Sequence, residues 1–232
     1  LSDDAVPDRS TPLEVPWLEV FGAALFAVLH AVVLSGRLHP DEVYQSLEPA
    51  LNKAFGYGVM AWEWQVPPEP LRSQQPWGIR SWAVPTLFAW LFQAAHALGV
   101  DSVWGRRIAV ALPQWALHAA MLGAVWRLSA RRVGKKLARA CLWLVAMYPP
   151  IVWFAGRTMS ESFSVAFLVW GLERLDDAED TRWTKAVLGG LFLGLAQLTR
   201  YGSAAVIVPA MLWLLATRRW RVFGFATSGG LV

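Results

Sequence analysis

The sequence predicts an all-α protein, a polytopic transmembrane helical bundle with interfacial helices in its first outer loop. Three observations carry that prediction. Of 232 residues, 56% are hydrophobic and 16% charged, whereas average soluble proteins carry about 25% charged residues. The mean hydropathy is +0.37. The apolar residues fall in runs separated by short clusters of Lys and Arg, the pattern of helices that cross a bilayer between basic flanks. The same composition, with fifteen Trp, excludes a disordered chain and argues against a soluble globule. The formal net charge of +4 does not point to nucleic acid, because the basic residues are short flanks of spans and the positive-inside bias already explains them. The single cysteine, Cys141, excludes an intrachain disulfide, a Cys-based metal cluster and a redox pair. Lying inside an apolar run, it reads as a small buried apolar residue.

Residues 1–15 are acidic and punctuated by Pro, so they read as a cytoplasmic tail rather than a cleavable signal. Residues 16–232 read as one transmembrane module. The chain starts at Leu1 and stops at Val232 within an apolar run that begins after Arg221, so both ends read as cut from a longer membrane protein. A crossing needs roughly 20 mostly apolar residues to cover about 30 Å of hydrocarbon. Candidate spans run from Pro16 to Gly36, Val103 to Trp126, Ala138 to Ala155, Glu161 to Leu175, Ala186 to Leu198 and Ser203 to Thr217. The fourth and fifth are short and must borrow flanking residues.

One more apolar run, Trp82 to Gly99, is assigned by charge. Arg127, Arg131, Arg132, Lys135, Lys136 and Arg139 form the strongest basic cluster, and Arg218, Arg219 and Arg221 the next. Both belong inside. If Trp82 to Gly99 crossed, the cluster at 127–139 would share a side with the long polar loop 37–81. If it lies along the outer interface, 37–102 is one outer loop and the later connections alternate correctly. Pro85, Gln93 and His96 also favour an interfacial helix.

The outer loop carries the polar groups: His39-Pro40-Asp41-Glu42-Val43-Tyr44-Gln45-Ser46-Leu47-Glu48. Pro40 suits a first helical position, and Asp41 and Glu42 complement the helix dipole there. A regular helix puts Asp41, Gln45, Glu48 and Asn52 on one stripe, with Val43, Leu47, Ala50 and Ala54 largely opposite. The plain alternative is that the acids only cap a solvated helix. Downstream, Trp62-Glu63-Trp64 sets two indoles around a carboxylate. That reads as an interfacial aromatic belt or as the wall of a sugar site, where indole faces stack on pyranose C–H faces and the carboxylate accepts hydroxyls.

His39-Pro40-Asp41-Glu42 with Gln45 and Glu48, then Trp62-Glu63-Trp64, then Arg80-Ser81 with Pro85, closely resembles the signature of glycosyltransferase family 22, the polyprenol-phosphate-mannose-dependent mannosyltransferases of glycosylphosphatidylinositol-anchor and N-glycan assembly. The likeness continues at Arg157-Thr158-Met159-Ser160 and at Leu198-Thr199-Arg200, and runs from about residue 16 to 217. Ala61 stands where the family often has Thr, Glu161 where it often has Asn, and the Pro-rich stretch 66–76 is longer than expected. These departures bear on the acceptor more than on the reaction.

The resemblance implies a C-type glycosyltransferase fold, multi-pass in the plasma membrane of a prokaryote or the endoplasmic reticulum of a eukaryote, with the active site on the outer or lumenal side. It implies a polyprenyl-phosphate sugar donor, a glycan or glycolipid acceptor, and no cofactor or divalent metal. Transfer is expected to be a single displacement with inversion. The catalytic demand is then to take the proton from the acceptor hydroxyl, which assigns Asp41 as general base with Glu42 beside it. His39, Gln45, Glu48, Trp62, Glu63, Arg80, Arg157 and Arg200 are the expected substrate-binding residues. Among the arginines, Arg80 and Arg200 are favoured to meet the phosphate, and for Arg157 snorkelling to the interface is the plain alternative. A transporter or assembly subunit is the rival class, but transporters place ionisable groups at mid-bilayer, whereas here they sit at outer helix ends. The same enzyme class with a pentose or glucose donor is a further alternative.

Overall fold

A computed structural model describes residues 13–33, 40–61, 64, 81–178 and 183–230 of the chain. All regular structure among them is helical: α1 (Trp17–Val33), α2 (Pro40–Glu42), a π-helical segment (Val43–Leu47), α3 (Glu48–Phe55), α4 (Ala83–Ala97), α5 (Val103–Ala146), α6 (Pro149–Ala155), α7 (Ser160–Asp177), α8 (Trp183–Thr199), a 3₁₀ turn (Tyr201–Ser203), α9 (Ala204–Ala216) and α10 (Trp220–Gly230). Among the described residues α5 is long and apolar enough to cross a membrane, and 17–30 and 201–216 are shorter apolar stretches. The Trp82–Gly99 run forms α4, 15 residues long. That is less than the roughly 20 a crossing needs.

The expected runs Val103 to Trp126 and Ala138 to Ala155 are separated by a break, and the second is itself divided. The 44-residue α5 is broken at Gly134, whose φ of 81° and ψ of 164° lie outside the helical region. There the chain doubles back, so Leu142 and Ala146 join Ala119 and Leu122 in one core cluster. Glycine reaches that φ without the Cβ clash other residues would suffer. The run expected as a single helix, Ala138 to Ala155, is also interrupted. Pro149 and Pro150 have no N–H to continue the ladder, and Tyr148 before them is extended (φ −65°, ψ 122°).

Of four apolar clusters among the described residues, three join different helices. Val20, Ala23 and Ala24 of α1 pack on both limbs of α5 and on Ala166 of α7, small residues allowing close approach. A second cluster packs Ala50 of α3, Val84, Phe88 and Phe92 of α4, Val110 of α5 and Phe163 of α7 together. The third cluster joins α7, α8, α9 and α10 through Leu175, Leu193, Leu214 and Val222. His96 Nδ1 lies 2.7 Å from Asp101 Oδ1, closing the α4–α5 connection. That hydrogen bond holds the exposed Asp101 carboxyl below its ordinary range.

The contact between α8 and α10 is backbone on backbone. A Cβ on Gly190 would fall on the carbonyl oxygen of Ala226, whereas one on Gly224 would meet nothing within 4 Å. Gly190→Leu is therefore expected to pry the two helices apart, at about 1–3 kcal/mol or more. Thermal unfolding of the detergent-solubilised protein should show a Tm several degrees lower, with Gly224→Leu unchanged. Equal Tm values for both would contradict this packing.

The first three arginines of the 127–139 cluster are paired with acids of α7. Glu173, 1% exposed, accepts from Arg127 Nε at 3.0 Å and Arg131 Nη2 at 2.7 Å. Arg132 pairs with Asp176 and Lys185 with Asp177. Arg219 donates to the carbonyls of Leu175 and Ala178 at the C-terminal end of α7.

Candidate active site

The helix that starts at Pro40 is not regular. Pro49 has no N–H, and its ring crowds the carbonyl of Gln45 four residues back, so the preceding turn widens and Glu48 N–H bonds Val43 O five residues away. The Tyr44 carbonyl, whose donor five residues on would be Pro49, is left over. It accepts the indole N–H of Trp64 at 2.9 Å. The proline thus explains both the π-helical segment and the docking of Trp64, which is 5% exposed and lies 4.6 Å, centroid to centroid, from Trp82.

Asp41, Gln45, Glu48 and Asn52, the stripe expected of a regular helix, are all half-buried, and a fully buried line accompanies them. Glu42, Ser46, Pro49 and Ala50 form the buried line. Gln45 and Ser46 line a cavity of ≈ 280 Å³, closed by Trp64, Ser81, Pro85, Ser160 and residues 198–202. This is near the lower end of the range for small-ligand pockets, roughly 300–1,000 Å³. Arg200 lines it and is ion-paired with Glu161 of the first turn of α7. The 201–203 turn beside Arg200 is pinned by Ser203, whose Oγ lies 2.5 Å from Ser164 Oγ and 3.1 Å from the Ala196 carbonyl.

Asp41 is half-buried and precedes Gln45 by about one helical turn. Glu42 differs from its expected place in the catalytic pair. It is 0% exposed, one carboxylate oxygen pairs with Arg157 Nη1, and the other faces Thr158 N at 3.3 Å and Thr158 Oγ1 at 3.4 Å. Arg157, expected to bind substrate, is itself 5% exposed, with its guanidinium 3.9 Å from the Trp153 ring centroid. Its carbonyl accepts from Gln114 Nε2 at 2.6 Å and Ser162 Oγ at 2.9 Å. A carboxylate held this way is an anchor between helix 40–55 and the α6–α7 connection, and neither partner presents a free face to a ligand. Glu48, also expected at the substrate, accepts Val59 N–H at 2.7 Å and secures the turn after α3. His39, Trp62, Glu63 and Arg80 lie outside the described residues.

Several residues enter that sequence reasoning had passed over. Arg106 and Arg107 rim a second cavity of ≈ 210 Å³ with Leu47, Leu51, Phe92 and Val110. Arg107 lies within electrostatic reach of Glu42 and Arg157, and Arg106 bonds Tyr57 Oη at 2.9 Å. The available signal was a pair of arginines inside the first turns of an apolar run.

Residues 20–232 match the Alg9-like mannosyltransferase family. The chain is 36% identical over 140 residues to GPI mannosyltransferase 3 of Yarrowia lipolytica, covering 60% of this chain and 25% of that protein. It is 31% identical over 147 residues to Mannosyltransferase APTG1 of Arabidopsis thaliana, covering 63% and 25%. It is 26% identical over 212 residues to GPI alpha-1,2-mannosyltransferase 3 of Mus musculus, covering 88% and 35%. The chain therefore spans about a quarter to a third of the length of these relatives. No solved structure matches it.

Proposed function

Because the chain belongs to the Alg9-like mannosyltransferase family, we propose that it forms part of a polytopic membrane enzyme that transfers mannose from a polyprenyl-phosphate donor to a glycan or glycolipid hydroxyl. The observation that carries this reading is the cavity beside the π-helical segment, which sets hydroxyl and amide groups, the Trp64 indole and the Arg200 guanidinium together next to the helix that carries Asp41. Indole and hydroxyl-bearing groups suit a sugar, and a guanidinium suits phosphate oxygens.

In this reading the cavity faces the outer or lumenal side and α4 lies along that interface. Asp41 takes the acceptor proton as the hydroxyl oxygen bonds to the anomeric carbon. The bond from that carbon to the phosphate oxygen breaks, and the polyprenyl phosphate leaves with the electron pair. Inversion follows, so a β-linked donor gives an α-linked product. Arg200, with Arg80, offsets the charge gained by the phosphate. The apolar cavity rimmed by Arg106 and Arg107 suits the first isoprene units of the donor.

The test uses the complete protein from its full reading frame, in liposomes with polyprenyl-phosphate [³H]mannose and a glycolipid extract. The expected product is a labelled glycolipid from which α-mannosidase releases [³H]mannose. Transfer from GDP-mannose but not from the lipid-linked donor, or a product resistant to α-mannosidase, would overturn the assignment. Glu161 competes with the phosphate for Arg200, and a partly exposed pair of this kind is worth up to about 1 kcal/mol. Glu161→Asn should therefore lower KM for the donor about three- to fivefold. A KM that rises or stays fixed would remove Arg200 from the phosphate site.

A further inference from the structure

Arg107 is half-buried on α5 and lines the cavity of ≈ 210 Å³ with Leu47, Leu51, Phe92 and Val110. Its Nε is buried without a hydrogen-bond partner, and its guanidinium forms no ion pair among the described residues. We propose that Arg107 holds the phosphate of a polyprenyl phosphate whose first isoprene unit fills this cavity. The identity of the lipid rests on the mannosyltransferase reading above, to which Arg107 adds a phosphate-binding residue on the prenyl side.

The neighbouring charges are taken up by other partners. Arg106 donates to Tyr57 Oη at 2.9 Å and to Asp101 Oδ1 at 3.3 Å, and His96 Nδ1 shares that carboxylate oxygen at 2.7 Å. Glu42 is within electrostatic reach of Arg107, but its two oxygens face Arg157 and Thr158. Three guanidiniums, those of Arg106, Arg107 and Arg157, therefore stand against the two carboxylates of Asp101 and Glu42, and Arg107 is the one left over. A charged donor with a buried N–H and no acceptor is costly, and a bound anion removes that cost. Phosphate suits it, because a guanidinium can meet two of its oxygens at once.

The rest of the cavity selects what is attached to the phosphate. Gln114 Nε2 is committed to the Arg157 carbonyl at 2.6 Å, and Thr158 Oγ1 to Glu42 at 3.4 Å. The wall formed by Leu47, Leu51, Phe92 and Val110 is hydrocarbon. A diacyl phospholipid separates its phosphate from hydrocarbon by a glycerol and two esters, whose carbonyls would lose water here and gain no donor. A polyprenyl phosphate places an alkenyl chain there directly. The volume is below the roughly 300–1,000 Å³ of drug-sized ligand pockets, so it takes the head end of such a lipid and not its length. Consecutive residues of one helical stretch line the two cavities, Gln45 and Ser46 the candidate sugar site and Leu47 and Leu51 this one. The donor phosphodiester has two unbridged oxygens, one for Arg107 from the prenyl side and one for Arg200 from the sugar side.

The test is native mass spectrometry of the complete protein, titrated with undecaprenyl phosphate, undecaprenol or phosphatidic acid. Arg107→Gln should weaken undecaprenyl phosphate binding about 10–100-fold, the worth of a hydrogen bond to a charged group, and undecaprenol binding less than about twofold. Ala111 also lines the cavity. Ala111→Leu narrows it and keeps the guanidinium, so both undecaprenyl lipids should bind about fivefold more weakly or worse. Unchanged undecaprenyl phosphate affinity in Arg107→Gln, an equal loss for undecaprenol, or unchanged affinities in Ala111→Leu overturns the proposal. Phosphatidic acid binding as tightly as undecaprenyl phosphate, or displacement by equimolar inorganic phosphate, overturns it too. Mannosyl transfer is measured on the same preparations. Its absence alongside Arg107-dependent binding of undecaprenyl phosphate would refute the enzymatic reading and leave this site standing. Transfer with an unchanged donor KM in Arg107→Gln would do the reverse.

Discussion

Asp41→Asn in the complete protein is expected to lower kcat for mannosyl transfer by about 10²–10⁴-fold, with KM for the donor changed no more than a few-fold. The amide keeps the shape of the carboxylate and much of its hydrogen bonding. It cannot take the proton that the acceptor hydroxyl must lose as the new bond forms. A loss confined to kcat is the signature of an interaction made in the transition state and not in the ground state. Glu48→Gln provides the internal comparison. Its carboxylate is engaged by Val59 N–H, so its change should affect stability slightly and kcat less than tenfold. Wild-type turnover in Asp41→Asn, or an equal fall in both variants, would remove Asp41 from the proton transfer.

The second large effect is on stability. Arg157→Met leaves Glu42 as a fully buried carboxylate without its counter-ion, at a cost of about 3–5 kcal/mol. Thr158 supplies only the longer contacts at 3.3 and 3.4 Å, which cannot replace the guanidinium. The expected result is a large fall in Tm and in the yield of monodisperse protein. Glu42→Gln/Arg157→Met removes both charges and should recover most of the loss, since a buried pair replaced by neutral groups of similar size is often close to neutral in stability. The double variant also separates two roles for Glu42. If Glu42 anchors helix 40–55, a folded double variant keeps at least a tenth of wild-type transfer. If it folds and loses transfer as completely as Asp41→Asn, Glu42 acts in the chemistry and the anchoring role fails.

The irregular helix at 40–55 shows where sequence reading reached its limit. Its start at Pro40 was legible, because helix starts depend on local residue preferences. Its facing was also legible in part: Asp41, Gln45, Glu48 and Asn52 are all half-buried, while Glu42 and Ser46, likewise one turn apart, are fully buried and Gln45 lines the cavity. The widened turn was not read, although Pro49 was in plain view. The break at Pro149-Pro150 carried the same kind of local signal inside an otherwise continuous apolar run.

By itself the sequence determined that the protein is helical and that many of its few charges gather at the ends of apolar runs. Both follow from composition and from the spacing of residues along the chain. Only the tertiary structure decided the partners of those charges: Arg157 with Glu42 across 115 residues, Trp64 with the Tyr44 carbonyl, Arg200 with Glu161, and Arg127 and Arg131 with Glu173. Such pairings depend on which faces of distant helices meet. That is settled by packing of small residues and by the need to neutralise each buried charge, and no pattern within one helix records it.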